Sequence, residues 1–486
     1  MGRRNAPDLR AVARRAVAAA GFEPDFPAAV ARELAEAERI RPEPDSEVRD
    51  LRGLLWSSID NKESRDLDQV EYVERDGEGF RVLVGIADVD AFVPRGSAVD
   101  RHAAANTVSV YTPAEVFPML PTRLSNDLTS LVEGGDRLAV VMELEVSEGG
   151  DLGSEKVYRA VVRNRAKMDY ETAGAWLEGR GPAPAPVQEV EGLEEQVRLQ
   201  DEVARALHEL RRRCGALELE RNDLVPVLDE RGRVVRLDER RANRAQNIIE
   251  SLMIAANTSM AELLEAGGVP SLRRVVRAPE RWPRMVETAA ALGESLPPEP
   301  DPRALSDFMS RRREADPASY AELSLSILKL MGPGDYLVEA PGLEQEGHFG
   351  LAVHDYTHST APNRRFPDLV TQRCLKSAAA GLPAPYAREE LEAIAERCNL
   401  MESASRKVER RMRKVAAASL LSARVGETFD GVVTGVKEKG TFARLLRPPA
   451  DGRVVRGWRG LDVGDRVRLR LLSTDPERGF IDFARA

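Results

Sequence analysis

Three aspartates near position 60 are the residues of this sequence best suited to chemistry. The segment SSIDNKESRDLDQVEYV places Asp60, Asp66 and Asp68 within nine residues, among the apolar Ile59 and Leu67. Carboxylates this close repel one another unless a cation lies between them, and Mg²⁺ prefers oxygen ligands. A bound Mg²⁺ activates water and orients a phosphodiester for hydrolysis. Acidic turns are common, so by spacing alone a solvated loop is the better interpretation, and a metal site needs the support of further motifs.

A predicted β-sheet begins at this acidic segment. From Leu54 to about Val146 the chain consists of short β-prone runs. One of them, YVERDGEGFRVLVGIADV, alternates around an Asp-Gly-Glu-Gly turn, which predicts a hairpin. Asp88 lies in the apolar end of that run, and a buried carboxylate needs a partner. We expect Asp88 to support the acidic cluster structurally rather than to bind metal directly.

Helical patterns occupy much of the remaining chain. Residues 8–40 read as two short helices, and NIIESLMIAANTSMAELLEAG at 247–267 reads as a buried helix that ends at a glycine. A longer helix is predicted over 388–425; its basic second half is either an RNA-facing surface or a solvated face. The Pro-rich stretches 179–192 and 295–306 are predicted to be surface loops or connectors.

After Val425 the pattern changes to short, Gly-punctuated strands. Five such strands over about 60 residues are typical of a small closed barrel of the OB type. Basic residues outnumber acidic ones in this segment, whereas the whole chain has a net charge of −9. Phosphate contacts must therefore depend on local basic surfaces.

Composition excludes several classes of protein. At 486 residues the chain is long enough for two to four domains, and no apolar run approaches the roughly 18 residues of a membrane span. Cys214, Cys374 and Cys398 form no CxxC pair, and the five histidines form no ligand pattern, so neither zinc nor a disulfide framework is expected. The protein is expected to be cytoplasmic, monomeric and independent of membranes.

The run IDNKESRDLDQ resembles the first motif of the ribonuclease II/R (RNB) family. The similarity continues, over residues 45 to 410, through GIADVDAFVPRGSAVDRHA, SVYTPAEVFPMLPTRLSNDLTSL, GALELE, IIESLMIAAN and THSTAPNRRFPDLVTQR. The resemblance implies an α+β fold: a short helical N-terminal segment (1–45), an RNB-type catalytic domain (46–424) and an S1-type OB barrel (425–486). Relatives often carry two cold-shock barrels before the catalytic domain, for which 45 residues leave too little space.

The resemblance also implies roles for the acidic residues. Asp60, Asp66 and Asp68 correspond to three of four family aspartates that bind magnesium and position the scissile phosphate. We expect Asp68 to be the most critical catalytic residue, together with Asp66. Gln69 stands where the family usually has the fourth aspartate. Its amide oxygen can bind Mg²⁺ but brings no charge, so metal affinity or turnover is expected to fall.

Residues that hold the RNA follow from the same motifs. Arg364 corresponds to the arginine that clamps the phosphate, with Arg365 assisting, because a guanidinium offers a planar fork of donors. Outside the motif such arginines are usually surface ion-pair residues. Tyr111 corresponds to the tyrosine on which the terminal base stacks. The opposing family aromatic is replaced by Leu219, which predicts a looser hold on the 3′ end.

Two further positions are linked to the RNA 2′-hydroxyl. Tyr170 and Glu250 align with them, although a buried tyrosine and a helix-surface acid are equally good interpretations. In the barrel, Phe442 is the preferred stacking residue and Phe429 the weaker one, since aromatics in small barrels are usually core. The residues expected to follow RNA phosphates are Lys437, Lys439, Arg444 and Arg468.

These expectations combine into one function. The chain is predicted to be a 3′-to-5′ exoribonuclease that hydrolyses single-stranded RNA from a free 3′ end, processively and with Mg²⁺, to nucleoside 5′-monophosphates. One alternative is a catalytically weakened RNA-binding protein on the same scaffold, which Gln69 and Leu219 favour. A DNA-processing nuclease is a more remote one.

Overall fold

A mixed seven-stranded sheet forms the centre of the molecule. The computed structural model describes residues 8–39, 46–220, 223–229, 234–240, 242–317, 319–339, 347–438 and 440–486. The strands of all the described residues, within this sheet and outside it, are Arg49–Asp50 (β1), Ser57–Asp60 (β2), Gln69–Asp76 (β3), Gly79–Ala87 (β4), Val110–Tyr111 (β5), Val116–Phe117 (β6), Asp136–Ser147 (β7), Leu152–Arg163 (β8), Ala166–Asp169 (β9), Asp223–Leu228 (β10), Val234–Arg240 (β11), Ser271–Val275 (β12), Asp335–Glu339 (β13), Thr428–Lys437 (β14), Gly440–Leu446 (β15), Pro449–Arg456 (β16), Arg466–Asp475 (β17) and Phe480–Arg485 (β18).

The order of the sheet, β1-β8-β7-β4-β3-β2-β9, places the short strand β2 between β3 and β9. The predicted hairpin is confirmed: β3 and β4 pair from Gln69↔Ile86 to Asp76↔Gly79. Gly77 lies in the turn with φ +58°, a conformation that glycine adopts without strain. The acidic segment 61–68 is therefore the loop that joins two neighbouring strands.

Helices cover the sheet and extend beyond it. They are Leu9–Ala19 (α1), Ala28–Arg39 (α2), Ala98–Asn106 (α3), Tyr170–Leu177 (α4), Ala185–Glu189 (α5), Leu193–Cys214 (α6), Arg244–Ala266 (α7), Trp282–Ala291 (α8), Pro302–Ala315 (α9), Tyr320–Met331 (α10), Phe366–Ala379 (α11) and Arg388–Leu421 (α12). None of those in the described ranges has both the length and the apolar character needed to cross a bilayer.

The helix predicted at 247–267 is confirmed as α7, and it begins three residues earlier. Asn243 and Gln246 form a capping box there, each side chain accepting the other's backbone N–H at 3.0 Å. The long helix predicted from residue 388 is confirmed as α12. The Pro-rich stretches are not entirely loops, however. Residues 185–189 form α5 and Pro302 opens α9, because proline is well suited to the first turn of a helix.

The N-terminal helix α1 packs on the second half of the chain. Leu9, Val12 and Val17 share a buried cluster with Met401 and Val408 of α12. The Tyr111-bearing hairpin β5–β6 contributes to the same cluster. Of the two interpretations of this segment, an edge of the catalytic domain and a separate helical module, the packing favours the first.

The predicted C-terminal barrel is confirmed as the closed five-stranded barrel β14-β15-β16-β18-β17. The hydrophobic core of the barrel includes Ala418 and Leu421, so the C-terminal end of α12 packs against the barrel strands. Phe429 is 6% exposed and belongs to that core. The interpretation of Phe429 as a core residue is therefore the better one, because a ring in the barrel interior cannot stack on RNA.

Candidate active site

The loop between β2 and β3 carries the three aspartates. Asp60 is the last residue of β2, and its carboxylate accepts hydrogen bonds from the Asn61 N–H at 2.6 Å and the Ser64 hydroxyl at 3.0 Å. Asp66 accepts from the Tyr111 hydroxyl at 3.4 Å. Asp68 directly precedes β3 and is only 2% exposed. Asp60 is thus held by donors of its own turn, whereas Asp66 is held by a hydroxyl from another strand.

Arg364 is the cation that faces this loop. Its Nε lies 3.5 Å from Asp68 Oδ2, while Asp68 Oδ1 accepts the Asn363 N–H at 2.9 Å. Burial raises the pKa of Asp68 to about 7, although Arg364 and the Asn363 hydrogen bond both act to lower it. Burial also raises the pKa of Asp60, and Arg364 again opposes the shift. One guanidinium therefore acts on both carboxylates, and with 46% of its side chain exposed it stays open to a ligand.

The three aspartates stand further apart than a closed set of metal ligands. In the described part of the chain, the carboxylates whose oxygens all approach within 4.8 Å are those of Glu265, Glu339 and Asp355. That group already surrounds a cation, because the guanidinium of Arg273 contacts all three acids. The looser aspartate cluster still fits Mg²⁺, since this ion keeps several waters and needs only one or two direct carboxylates. The buried, strongly perturbed Asp68 is the observation that favours a cation there.

Helix α11 fixes the Arg364 segment against the sheet. Gln372 donates to the Ala87 carbonyl at 2.8 Å, at the end of β4. Lys376 binds Asp88 and Asp90 at 2.8 Å each. Asp88 thus has its expected buried partner and joins the sheet to α11. Its support of the acidic cluster stays a prediction. These contacts place the residues before α11 directly over the start of β3.

A second set of contacts joins the Tyr111 strand to the same segment. The Ser109 N–H donates to the Arg364 carbonyl at 3.0 Å, and the Phe366 N–H donates to the Thr107 carbonyl at 2.8 Å. Tyr111 follows two residues later and is 43% exposed. Because its backbone is held in register with Arg364, the ring lies at the rim of the aspartate cluster rather than on a free loop.

Tyr170 borders the cluster on the other side. It opens α4, directly after Asp169, whose register partner across the sheet is Asp60. The Tyr170 carbonyl accepts from the Asn243 side chain at 2.7 Å, which ties α4 to the start of α7. Burial raises the pKa of the Tyr170 hydroxyl, and the Asp60 carboxylate raises it further. The hydroxyl therefore remains a neutral hydrogen-bond donor beside the cluster.

Other predicted site residues lie outside this cluster. Arg365 directly precedes α11 and is bonded at 2.6 Å to Asp368, so its charge is already paired within the protein. Glu250 lies on the exposed face of α7, where Arg211 is its charged neighbour. Leu219 packs into the hydrophobic cluster formed around α8, α9 and α10. The roles predicted for these residues stay predictions.

Gln69 and five residues of the barrel are the remaining predicted site residues. Gln69 opens β3 and is 9% exposed; by the alternation of a strand it faces away from Asp68. Phe442 lies on the outer wall of the barrel, directly opposite Arg453, and is partly exposed. Arg444 pairs with Asp451 at 3.0 Å. Arg468 is largely exposed beside Asp430. Lys439 and the side chain of Lys437 lie outside the described residues.

Sequence reasoning missed residues whose roles depend on tertiary contacts. Asn363 bonds Asp68 through its backbone and accepts from the Thr129 hydroxyl at 2.6 Å, and no local pattern predicts either contact. Asp368 was recoverable, because an acid three residues after Arg365 on a helix is within ion-pair distance. Glu71 is a fully buried carboxylate on β3. Its signal was present: it lies in the β-prone region, two residues before the apolar Val73 and therefore on the same face of the strand.

Comparisons with known proteins decide the family. The RNB domain model matches residues 48–381, and the model of the RNase II-type exonuclease C-terminal S1 domain matches residues 427–486. The chain belongs to the RNB family of exoribonucleases. Ribonuclease R of Thermotoga maritima is 31% identical to it, over 94% of this chain and 68% of the relative. The resemblance inferred from the motifs is confirmed, and so is the fold class that it implied.

The fold of this chain is similar to those of solved structures. The apo form of Mycoplasma genitalium RNase R superposes with a TM-score of 0.88 at 23% identity, covering 99% of this chain and 78% of that one. Yeast Ssd1, described as a pseudonuclease, gives a TM-score of 0.66 at 17% identity, over 85% of this chain and 52% of that one. At such identities the likeness concerns the RNB fold, not the chemistry of the site.

Proposed function

We propose that this RNB enzyme hydrolyses single-stranded RNA from the 3′ end, processively and with Mg²⁺, to nucleoside 5′-monophosphates. The observation that carries the proposal is the buried Asp68 paired with an exposed Arg364, beside Asp60 and Asp66. Carboxylates and an open guanidinium are what a phosphodiester and its metal require. We keep a monomeric, cytoplasmic enzyme as the sequence-based prediction.

The chain's own residues divide the work on the RNA end. The exposed ring of Tyr111 stacks on the terminal base, and stacking of this kind tolerates any base. Arg364 holds the scissile phosphate and stabilises the charge that develops on it. Tyr170, a neutral donor, hydrogen-bonds the ribose 2′-hydroxyl, the group that distinguishes RNA from DNA. Bound among Asp60, Asp66 and Asp68, Mg²⁺ would supply an activated water and stabilise the leaving oxygen.

The barrel supplies a second point of attachment, which supports processive action. Helix α12 runs from the catalytic domain into the barrel core, and its Glu409 accepts the Tyr111 N–H at 3.3 Å. Phe442 and the facing Arg453 provide a stacking surface next to a positive charge on the barrel wall. Mycoplasma genitalium RNase R has been solved with ribose-methylated single-stranded RNA and with double-stranded RNA. We infer that RNA is likewise the substrate here.

One experiment tests the direction of degradation, the identity of the product and the dependence on metal together. Purified protein is incubated with RNA labelled at the 5′ end or the 3′ end, with Mg²⁺ or with EDTA. We expect the 3′ label to appear at once as a nucleoside 5′-monophosphate, and the 5′ label to pass to a short end product without intermediates. Asp68→Asn serves as the matched inactive control. Internal fragments, or activity indifferent to both EDTA and the substitution, would contradict the proposal.

A catalytically weakened RNA-binding protein is the second candidate. Gln69 provides no charge, and Ssd1 illustrates that this fold occurs in a protein described as a pseudonuclease. This candidate predicts Mg²⁺-independent RNA binding without turnover, whereas the enzyme predicts turnover. A DNA-processing nuclease, the third candidate, predicts equal cleavage of matched DNA and RNA strands. The same labelled substrates therefore separate all three.

A further inference from the structure

Glu71 is a buried carboxylate that has no role in the function proposed for the aspartate cluster. It is the third residue of β3 and is 0% exposed. Neither of its carboxylate oxygens has a hydrogen-bond partner among the described residues. A buried acid with no donor is costly, and native proteins retain such a group mainly where it meets an ion, a water or a ligand.

The position of Glu71 leads to the aspartate cluster. Its register partner is Ser57 of β2, the four-residue strand that ends at Asp60. The Asp60 carboxylate is the charge that acts on Glu71, and both carboxylates act on the hydroxyl of Tyr170. On β3 itself, Glu71 shares a face with Gln69, two residues earlier, which contributes an amide without charge. An unpartnered carboxylate therefore lies on the same face of β3 as the uncharged Gln69, close enough to Asp60 to interact with its charge.

We propose that Glu71 is a further carboxylate of the divalent-metal site, acting on the ion with Asp60 and making up the negative charge that Gln69 lacks. The inference rests on the proposed function, because it assumes that the aspartate cluster binds metal. A hard divalent cation is the ligand whose chemistry matches a dry, unpartnered carboxylate beside another one. The competing explanation is a neutral, protonated glutamic acid that only fills space between the sheet and its helices.

Binding of Mn²⁺ to the RNA-free protein, followed by electron paramagnetic resonance, tests this without measuring activity. We expect Glu71→Gln to weaken Mn²⁺ binding about tenfold or more, the size of effect that loss of a group supporting a metal site produces. The matched control is Glu143→Gln, a largely buried glutamate of the same sheet that is already bonded to Arg81 and Tyr158. It should bind Mn²⁺ as the unmodified protein does.

A second variant tests the inference even where Glu71→Gln fails to fold. If Glu71 already supplies the negative charge that Gln69 lacks, the single substitution Gln69→Asp raises Mn²⁺ affinity by no more than about twofold. Added to Glu71→Gln in a double variant, Gln69→Asp restores the affinity that Glu71→Gln lost. A tenfold gain from Gln69→Asp alone, or unchanged binding in Glu71→Gln, overturns the assignment.

Mn²⁺ binding by the Asp68→Asn variant distinguishes a failure of the Glu71 inference from a failure of the proposed function. If Asp68→Asn binds Mn²⁺ weakly while Glu71→Gln binds it normally, Glu71 is a neutral core residue and the proposed function stands. If both variants bind Mn²⁺ like the unmodified protein, the metal role of the whole cluster is lost, and the inference is lost with it.

Discussion

Asp68→Asn should make the metal-free protein more stable at alkaline pH while removing its activity. Asp68 is almost fully buried, and its pKa rises from 3.8 to about 7 on folding. Folding therefore favours its protonated form, so its contribution to stability is complete below pH 3.8 and is lost as the pH rises through 7. The variant has no such group to ionise.

The structure sets the size of the effect. A difference of about 3 pH units between folded and unfolded states corresponds to up to about 4 kcal/mol at about 1.4 kcal/mol per unit. About half of this stabilisation is lost between pH 5.5 and pH 8. The free energy of unfolding of the variant, relative to that of the unmodified protein, should therefore be about 2 kcal/mol higher at pH 8 than at pH 5.5. The Asn363 N–H keeps its acceptor, because the amide oxygen of asparagine can replace the carboxylate oxygen.

Equilibrium urea unfolding in EDTA at the two pH values measures this difference. Trp56 packs beside Val70 and Gly85 of the sheet, so tryptophan fluorescence reports on the region concerned. All other titrating groups are shared by the two proteins, and the pH dependence of their difference isolates Asp68. A difference that stays constant with pH, or that favours the unmodified protein at pH 8, would refute the burial argument. Added Mg²⁺ should stabilise the unmodified protein more than the variant.

Three further substitutions follow from the geometry. Arg364→Lys keeps a charge near Asp68 but loses the planar fork, so single-turnover cleavage should fall about 100-fold or more with little change in RNA binding by filter assay; an equal loss in both would assign Arg364 to binding alone. Tyr111→Ala should weaken binding of a single-stranded oligonucleotide by about 1–3 kcal/mol in anisotropy titrations, whereas Tyr111→Phe, which keeps the ring, should not; matching losses would argue for the hydroxyl instead. Phe442→Ala should weaken binding of a long RNA and leave unchanged an oligonucleotide too short to reach the barrel; unchanged binding of both would remove Phe442 from the RNA path.

Much of the fold was predictable because its signals are local. The Asp-Gly-Glu-Gly turn, the apolar period of α7 and the strand pattern after Val425 each depend on residues close together in the chain. Helix α5 was missed because a proline-rich composition hides the fact that proline is favoured in the first turn.

The candidate site was predictable only in part. Asp60, Asp66 and Asp68 are neighbours in sequence, and their clustering follows from one loop. The approach of Arg364 to Asp68 spans nearly 300 residues and was accessible only through the family motifs. The orphaned carboxylate of Glu71 and the Asn363 N–H bonded to Asp68 depend on how strands and loops meet in three dimensions. No periodicity encodes such contacts.

A crystal grown with Mn²⁺ and measured at its absorption edge tests the metal site most directly. We expect an anomalous peak bounded by oxygens of Asp60, Asp66 and Asp68, opposite the Arg364 guanidinium. A peak at the Glu265, Glu339 and Asp355 group instead, or no peak at the aspartates at saturating Mn²⁺, would contradict it.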